Sequence, residues 1–199
     1  LRLTEFTDVF PDKFDWVEGI SAGMEEIYQY FCANCELQTA SERKFLKLYL
    51  DYCLQQYSDE SSRWQRYCGR VEIEPSKSVT AARVFHAHMP LPQAHLYVKD
   101  PLSRSYSFVP ENMFKVDFAF WDGEQLLAVE IDGGSHIGSP DHVRKDRLLQ
   151  RAGVNVIHIL NEELGEHESR AIRHLLPGKF TNYLRGVEKT SFFSPFMPF

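Results

Sequence analysis

Residues 115–132 read KVDFAFWDGEQLLAVEID, and the fold turns on how this stretch pairs. Its first half alternates, its second is a nearly unbroken apolar run, and Asp122-Gly123 lies between them. Two extended runs joined by Asp-Gly predict a β-hairpin with a two-residue loop. With Asp122 and Gly123 as that loop, Trp121 faces Glu124 and Asp117 lies across from Ala128. Side chains alternate along a strand, so Glu130 and Asp132 share the face of Asp117. Val116, Phe118, Phe120, Leu127, Val129 and Ile131 then fill the opposite, core-facing side. In this register Asp117 and Glu130 are diagonal neighbours, roughly 7 Å apart at the backbone. Gathering three carboxylates at the end of a buried strand costs roughly several kcal/mol unless a cation offsets them. An all-oxygen donor set suits a hard divalent cation, and Mg²⁺ is the expected one.

Downstream, Gly133-Gly134 permits a sharp turn, and SPDHVRKDRLLQRAG, residues 139–153, reads as a helix. Ser139 or Asp141 is its expected cap and Gly153 its stop. On its wheel Arg144, Arg147 and Arg151 form a narrow stripe, whereas Lys145 shares a face with Leu148, Leu149 and Ala152. A lysine on the sheet-facing side can reach the carboxylate cluster. NVIHIL, residues 155–160, then reads as a buried strand, and residues 162–176 as a closing helix.

Upstream, Phe45, Leu46, Tyr49 and Cys53 are spaced for one face of a helix over residues 41–56. A further helix is expected over 16–31, a polar break at SDESSR (58–63), a strand over 92–98 and a loop over 100–110. The order is helix, three strands with a central hairpin, helix, strand. This divides the chain into a partly helical N-terminal extension (1–38), a core (39–176) and an aromatic tail (177–199). The end of that tail, SFFSPFMPF, is apolar enough to predict packing on its own domain or on a partner.

With 199 residues, 43% of them hydrophobic, the chain suits one domain with a sizeable core. It contains no apolar run of about 18 residues, which excludes a helical membrane span as an expectation, and no signal peptide opens it. Leu1 in place of Met fits a processed chain or a piece of a longer one. Four cysteines do not make a secreted disulfide scaffold, and a reducing cytoplasm is expected. A zinc site built on Cys32-x-x-Cys35 is disfavoured because Cys53 falls on the apolar face of its helix. The net charge of −6 argues against a broadly basic nucleic-acid-coating surface but allows a local basic stripe.

Asp117, twelve residues, then Glu130-Ile131-Asp132 resembles the D-x(n)-E-x-K signature of the PD-(D/E)XK nuclease superfamily. The similarity is greatest to its branch related to very-short-patch-repair endonucleases. Glu42, Pro92-Gln93, Asp117-Phe118, the run Glu130-Ile131-Asp132-Gly133, His136 and Lys145-Asp146 stand in that branch's order. The resemblance spans residues 40–162. It implies a restriction-endonuclease-like α-β-β-β-α-β core with a mixed sheet flanked by helices, and an Mg²⁺-dependent endonuclease for which Mn²⁺ is a possible substitute.

It also implies roles. Asp117 and Glu130 would be metal ligands with the Ile131 carbonyl, Asp132 a further ligand or orienter, and Glu42 a catalytic-site acid. His136 would shuttle a proton or touch phosphate, and Arg144, Arg147 and Arg151 would contact the nucleic-acid backbone. The chain departs from the superfamily at Asp132, which stands where lysine is usual, and Lys145 is the candidate replacement. Nucleic acid is the implied partner, DNA over RNA, with no membrane. A protein partner, a parent chain or a homodimer are also compatible.

Plainer readings stand beside these. Glu42 follows Thr39 by three residues, as in a capping box. Lys145 can snorkel to water, and the arginine stripe can be a solvated face. A catalytically inactive nuclease-fold module for nucleic-acid binding or assembly is the alternative to the enzyme.

Overall fold

The computed structural model describes residues 20–37, 39–70, 88–99, 112–133, 139–164 and 171–181, and of 20 and 57–70 the backbone alone. It is an α/β arrangement. Helices α1 (Ile20–Asn34) and α2 (Ala40–Arg70) precede strands β1 (Leu91–Val98), β2 (Asn112–Trp121) and β3 (Leu126–Asp132). Helix α3 (Pro140–Arg151), strand β4 (Val154–Leu160), a 3₁₀ turn (Asn161–Leu164) and two short helices, α4 (Ile172–Leu175) and α5 (Gly178–Thr181), follow. The sheet runs β1-β2-β3-β4, antiparallel across its first two junctions and parallel between β3 and β4, where α3 makes the crossover.

The hairpin turns one residue later than the sequence suggests. Trp121 pairs with Leu126 and Phe118 with Val129, which makes Gly123 and Glu124 the loop. Gly123 has φ +103°, a conformation costly for any other residue, at the first loop position, where glycine is favoured. The Asp122 carboxylate fixes the turn by accepting the N–H groups of Glu124 (2.9 Å) and Gln125 (2.6 Å). Moving the loop by one residue moves each pairing by two, so the paired residues from Phe118 to Val129 keep their expected faces. Continued by one step, the register sets Asp117 directly opposite Glu130 rather than diagonal to it.

One face of the sheet packs on α1 and α2. Phe45 of α2 meets Phe118 at 4.8 Å between ring centroids, and Tyr49 meets Phe120 edge-on at 5.2 Å. Met24, Ile27 and Phe31 of α1, Leu37 after it, and Phe180 of α5 join this cluster, so the packed core is wider than residues 39–176. Thr181 is tied in as well, its carbonyl accepting the Tyr52 hydroxyl at 2.8 Å. The other face packs on α3 through Ala119, Ala128, Leu149 and Val154. Val116, expected beside Phe118, belongs to this second cluster instead.

Two helix boundaries differ from expectation. α2 continues through residues 58–63, because a stretch of Ser, Asp and Glu without Pro or Gly costs too little to end a helix already anchored in the core. Among the described residues, the 3₁₀ turn and α4 replace the single helix expected over 162–176. α3 matches its reading: Ser139 caps it by accepting the His142 N–H, Pro140 opens it, and Gly153 follows it with φ +84°. Ala152, expected on the buried face, lies past the helix end and is exposed. No described helix is long and apolar enough to cross a membrane. Residues 100–110 and the SFFSPFMPF tail lie outside the described residues.

Candidate functional site

β2 and β3 bring two carboxyl groups to the α3 side of the sheet. Asp117 Oδ2 accepts the Ile131 N–H at 2.7 Å, which fixes its rotamer against the neighbouring strand. Glu130 is buried, and its Oε1 lies 2.5 Å from Lys145 Nζ. Lys145 reaches it from α3 and also donates to the Lys115 carbonyl. The helical spacing of Lys145 with Leu148 and Leu149 therefore points it at the sheet as expected, because both leucines are buried there.

Burial pushes Glu130 up to about 7, with the charge of Asp117 adding to the push. The hydrogen bond and charge of Lys145, and the charge of His158, pull the other way without restoring an ordinary value. Asp117 is also raised, first by burial and then by the charges of Glu42 and Asp132, against the Ile131 N–H and Lys145.

Glu42 stands at the N-terminus of α2 and is buried. It completes a capping box with Thr39, whose hydroxyl accepts the Glu42 N–H at 3.1 Å. Its Oε2 also accepts from Gln93 Nε2 of β1 at 3.1 Å. Gln93 adopts φ +52°, a strained conformation for a residue with a side chain. The capping reading of Glu42 is seen directly, and its charge also bears on Asp117.

Asp132 is buried, but its Oδ2 lies 2.6 Å from Nδ1 of His158 on β4. Nε2 of the same ring lies 2.9 Å from Asp146 Oδ2 of α3. Burial opposes the charge of His158, yet its bonds and proximity to Asp132 and Asp146 outweigh that and raise its affinity for a proton. His158 was not singled out in the sequence. A histidine in an otherwise apolar strand was the available signal, and only the parallel pairing of β3 with β4, which sets it beside Glu130, gives it meaning.

Of the three carboxylates expected to converge, Glu130 pairs with Lys145 and Asp132 with His158, while Asp117 is held by the Ile131 N–H. Among the described residues, no three His, Cys, Asp or Glu side chains are grouped to hold a metal ion. Asp117 and Glu130 still offer hard oxygen donors on facing strand positions. The pair offers carboxylate oxygens alone, and the Ile131 contact with it is through the backbone N–H. His136 lies outside the described residues. Arg144, Arg147 and Arg151 are exposed on α3 and form no ion pair with a described residue. Cys32, Cys35 and Cys53 are not in disulfides.

No protein-family model matches the chain, and neither a curated protein nor a solved structure is significantly similar to it.

Proposed function

We propose that the chain is a metal-dependent nuclease with a restriction-endonuclease-like core, hydrolysing phosphodiester bonds of nucleic acid, DNA in preference to RNA. The observation that carries this reading is the meeting of Asp117, Glu130 and Lys145 at one point of the sheet, with Glu42 and Gln93 beside them. These residues come from β2, β3, α3, α2 and β1, and a purely structural role does not call for so much like charge in one buried place.

Asp117 and Glu130 would hold Mg²⁺ or Mn²⁺ with the Ile131 carbonyl. When bound, the metal would neutralise phosphate charge and lower the pKa of an attacking water. Lys145 favours the anionic form of Glu130 against the burial that opposes it, and would bring a positive charge to where a phosphate oxygen develops more negative charge. Glu42 orients Gln93 across the site's rim. Asp132 is an orienting residue in this account, held by His158 and through it joined to α3, the helix that carries Lys145. The arginines of α3 would take phosphates at a distance from the chemistry.

The 2.5 Å Lys145–Glu130 pair also favours a second reading. A carboxylate already paired with an ammonium needs no metal, which suits a non-cleaving binding or assembly module. Cleavage of labelled single- and double-stranded DNA and RNA, with Mg²⁺, Mn²⁺ or EDTA, separates the two. The nuclease reading expects metal-dependent cutting that falls at least about a hundredfold in Asp117→Asn and Glu130→Gln. No cutting of any substrate, with binding unchanged in both variants, would sink it in favour of the module.

A further inference from the structure

Strand β2 exchanges its two faces at one point, and Asp117 stands at that point. Phe114 and Val116 pack with Ala119, Ala128 and Leu149 on the α3 side, whereas Phe118 and Phe120 meet α2 on the other. Residues two apart on a regular strand share a face, so Val116 and Phe118 part company only if the strand is kinked between them. The pairing records the same break. β1 and β2 are matched at Pro92↔Phe118 and again at Ala94↔Val116, and the register skips Gln93 and Asp117. Pairing of β2 with β3 ends there too, at Phe118↔Val129, although both strands continue. Ile131, which a continued register would set opposite Val116, gives its N–H to the Asp117 carboxylate at 2.7 Å. A side chain thus stands in the ladder where β2 and β3 cease to pair.

Across the break lies Gln93, with φ +52°, a left-handed conformation in which a Cβ crowds the next carbonyl. Among the described residues Glu36 shares this conformation, but at the end of α1, where helices commonly finish that way. Inside a strand it is out of place. Pro92, just before it, has no N–H to lose from the ladder. The Gln93 side chain offsets the strain, because its Nε2 donates at 3.1 Å to Oε2 of Glu42, which is buried at the start of α2. Glycine would adopt this backbone at less cost, and strain of this kind gathers at functional positions. We infer that Gln93 is a positioning residue: its left-handed backbone, clamped by Glu42, kinks β1 and β2 so that the Asp117 carboxylate reaches the Ile131 N–H beside Glu130. The inference rests on the nuclease reading for its catalytic meaning, and adds to that site a residue that acts through Asp117 rather than on substrate.

Amide hydrogen exchange of the full chain in EDTA, read residue by residue by NMR, tests this through Gln93→Ala and Gln93→Gly. Both variants lose the bond to Glu42 and differ by one Cβ, which disfavours the left-handed backbone in the first and is missing from the second. The Ile131 amide should exchange about tenfold faster in Gln93→Ala than in Gln93→Gly. Asp117→Ala, which removes the acceptor, should speed it at least as much as Gln93→Ala. Leu127, in the unbroken part of the same ladder, should exchange alike in the two Gln93 variants. Equal rates at Ile131 in those variants, a native rate there in Asp117→Ala, or a difference at Leu127 as large as at Ile131 would overturn the inference. On the DNA or RNA that the native chain cuts with Mg²⁺, kcat should be about tenfold lower in Gln93→Ala than in Gln93→Gly at similar KM. The expected exchange pattern in a chain that cuts nothing would keep the positioning role and remove the nuclease reading. Metal-dependent cutting with equal exchange in the two variants would do the reverse.

Discussion

Glu130 holds its proton more tightly in the folded chain than in the unfolded one, with a value of about 7 against an ordinary 4.5. Between those values the folded state carries the extra proton, so this group makes stability fall as pH rises through that window. Glu130→Gln should therefore raise stability at pH 8 by about 1–3 kcal/mol, with the gain vanishing near pH 4.5. Urea unfolding at the two pH values checks this, and a variant less stable than the native chain at pH 8 would refute it. Millimolar Mg²⁺ should raise the Tm of the native chain and not that of Glu130→Gln. His158 is raised too, and as a base its contribution is full below about 6.5 and lost as pH climbs through its raised value. His158→Ala leaves Asp132 buried without its partner, at a cost of about 1–2 kcal/mol after discounting for a ring a third exposed. That cost should be larger at pH 6 than at pH 9. Of these residues, Asp117, Glu130 and Lys145 were legible in the sequence because strand and helix periods fix where they point. His158 was not, since its role depends on which strand lies beside β4, and a parallel pairing leaves no mark in local pattern.

At the scale of the element, α2 shows where a sequence signal is weakest. Its polar stretch at 58–63 looks like an interruption, yet a helix held by Phe45, Leu46, Tyr49 and Leu50 in the core propagates through residues of middling propensity. Its start was legible, because Thr39 and Glu42 carry the spacing of a capping box. Thr39→Ala should cost about 1 kcal/mol of stability and leave nucleic-acid cleavage unchanged, because the charge of Glu42 remains. Glu42→Gln preserves a hydrogen-bonding cap and removes that charge, so a cleavage defect there with a normal melting curve would assign the residue to the site. The hairpin was legible as an element and misread in its register by one loop residue. Asp-Gly announces a turn, but the carboxylate of Asp122, bonding forward to Glu124 and Gln125, decides where the chain reverses. Phe118→Ala, at the centre of the face that this register presents to α2, should cost about 3–5 kcal/mol in chemical denaturation.

Over the whole molecule, the sheet is covered by α1 and α2 on one side and α3 on the other, and Leu37 after α1 belongs to that cover. Met24, Ile27, Phe31 and Leu37 are all buried. At about 1.5–3 kcal/mol for each such side chain, their loss would remove an amount comparable to the whole stability of a typical domain, about 5–15 kcal/mol. A fragment beginning at residue 38 should accordingly melt without a cooperative transition by far-UV circular dichroism, and a sharp transition at the native midpoint would contradict this. The general α/β order was legible because element periods and caps are local. The breadth of the core was not, since the aromatic-rich opening of the chain gives no pattern that says what it covers. The turn at Gly123-Glu124 is itself clasped from the far end of the chain: Lys179 bonds Gln125 and pairs with Asp122 at 2.9 Å, and Asn155 donates to Gln125. Substitutions there loosen a clasp, but loss of a single codon would shift β2 by one residue against β3 and turn Asp117 from one face of the sheet to the other. The gene can thus tolerate many spelling changes at this distant bend and hardly any change in its length.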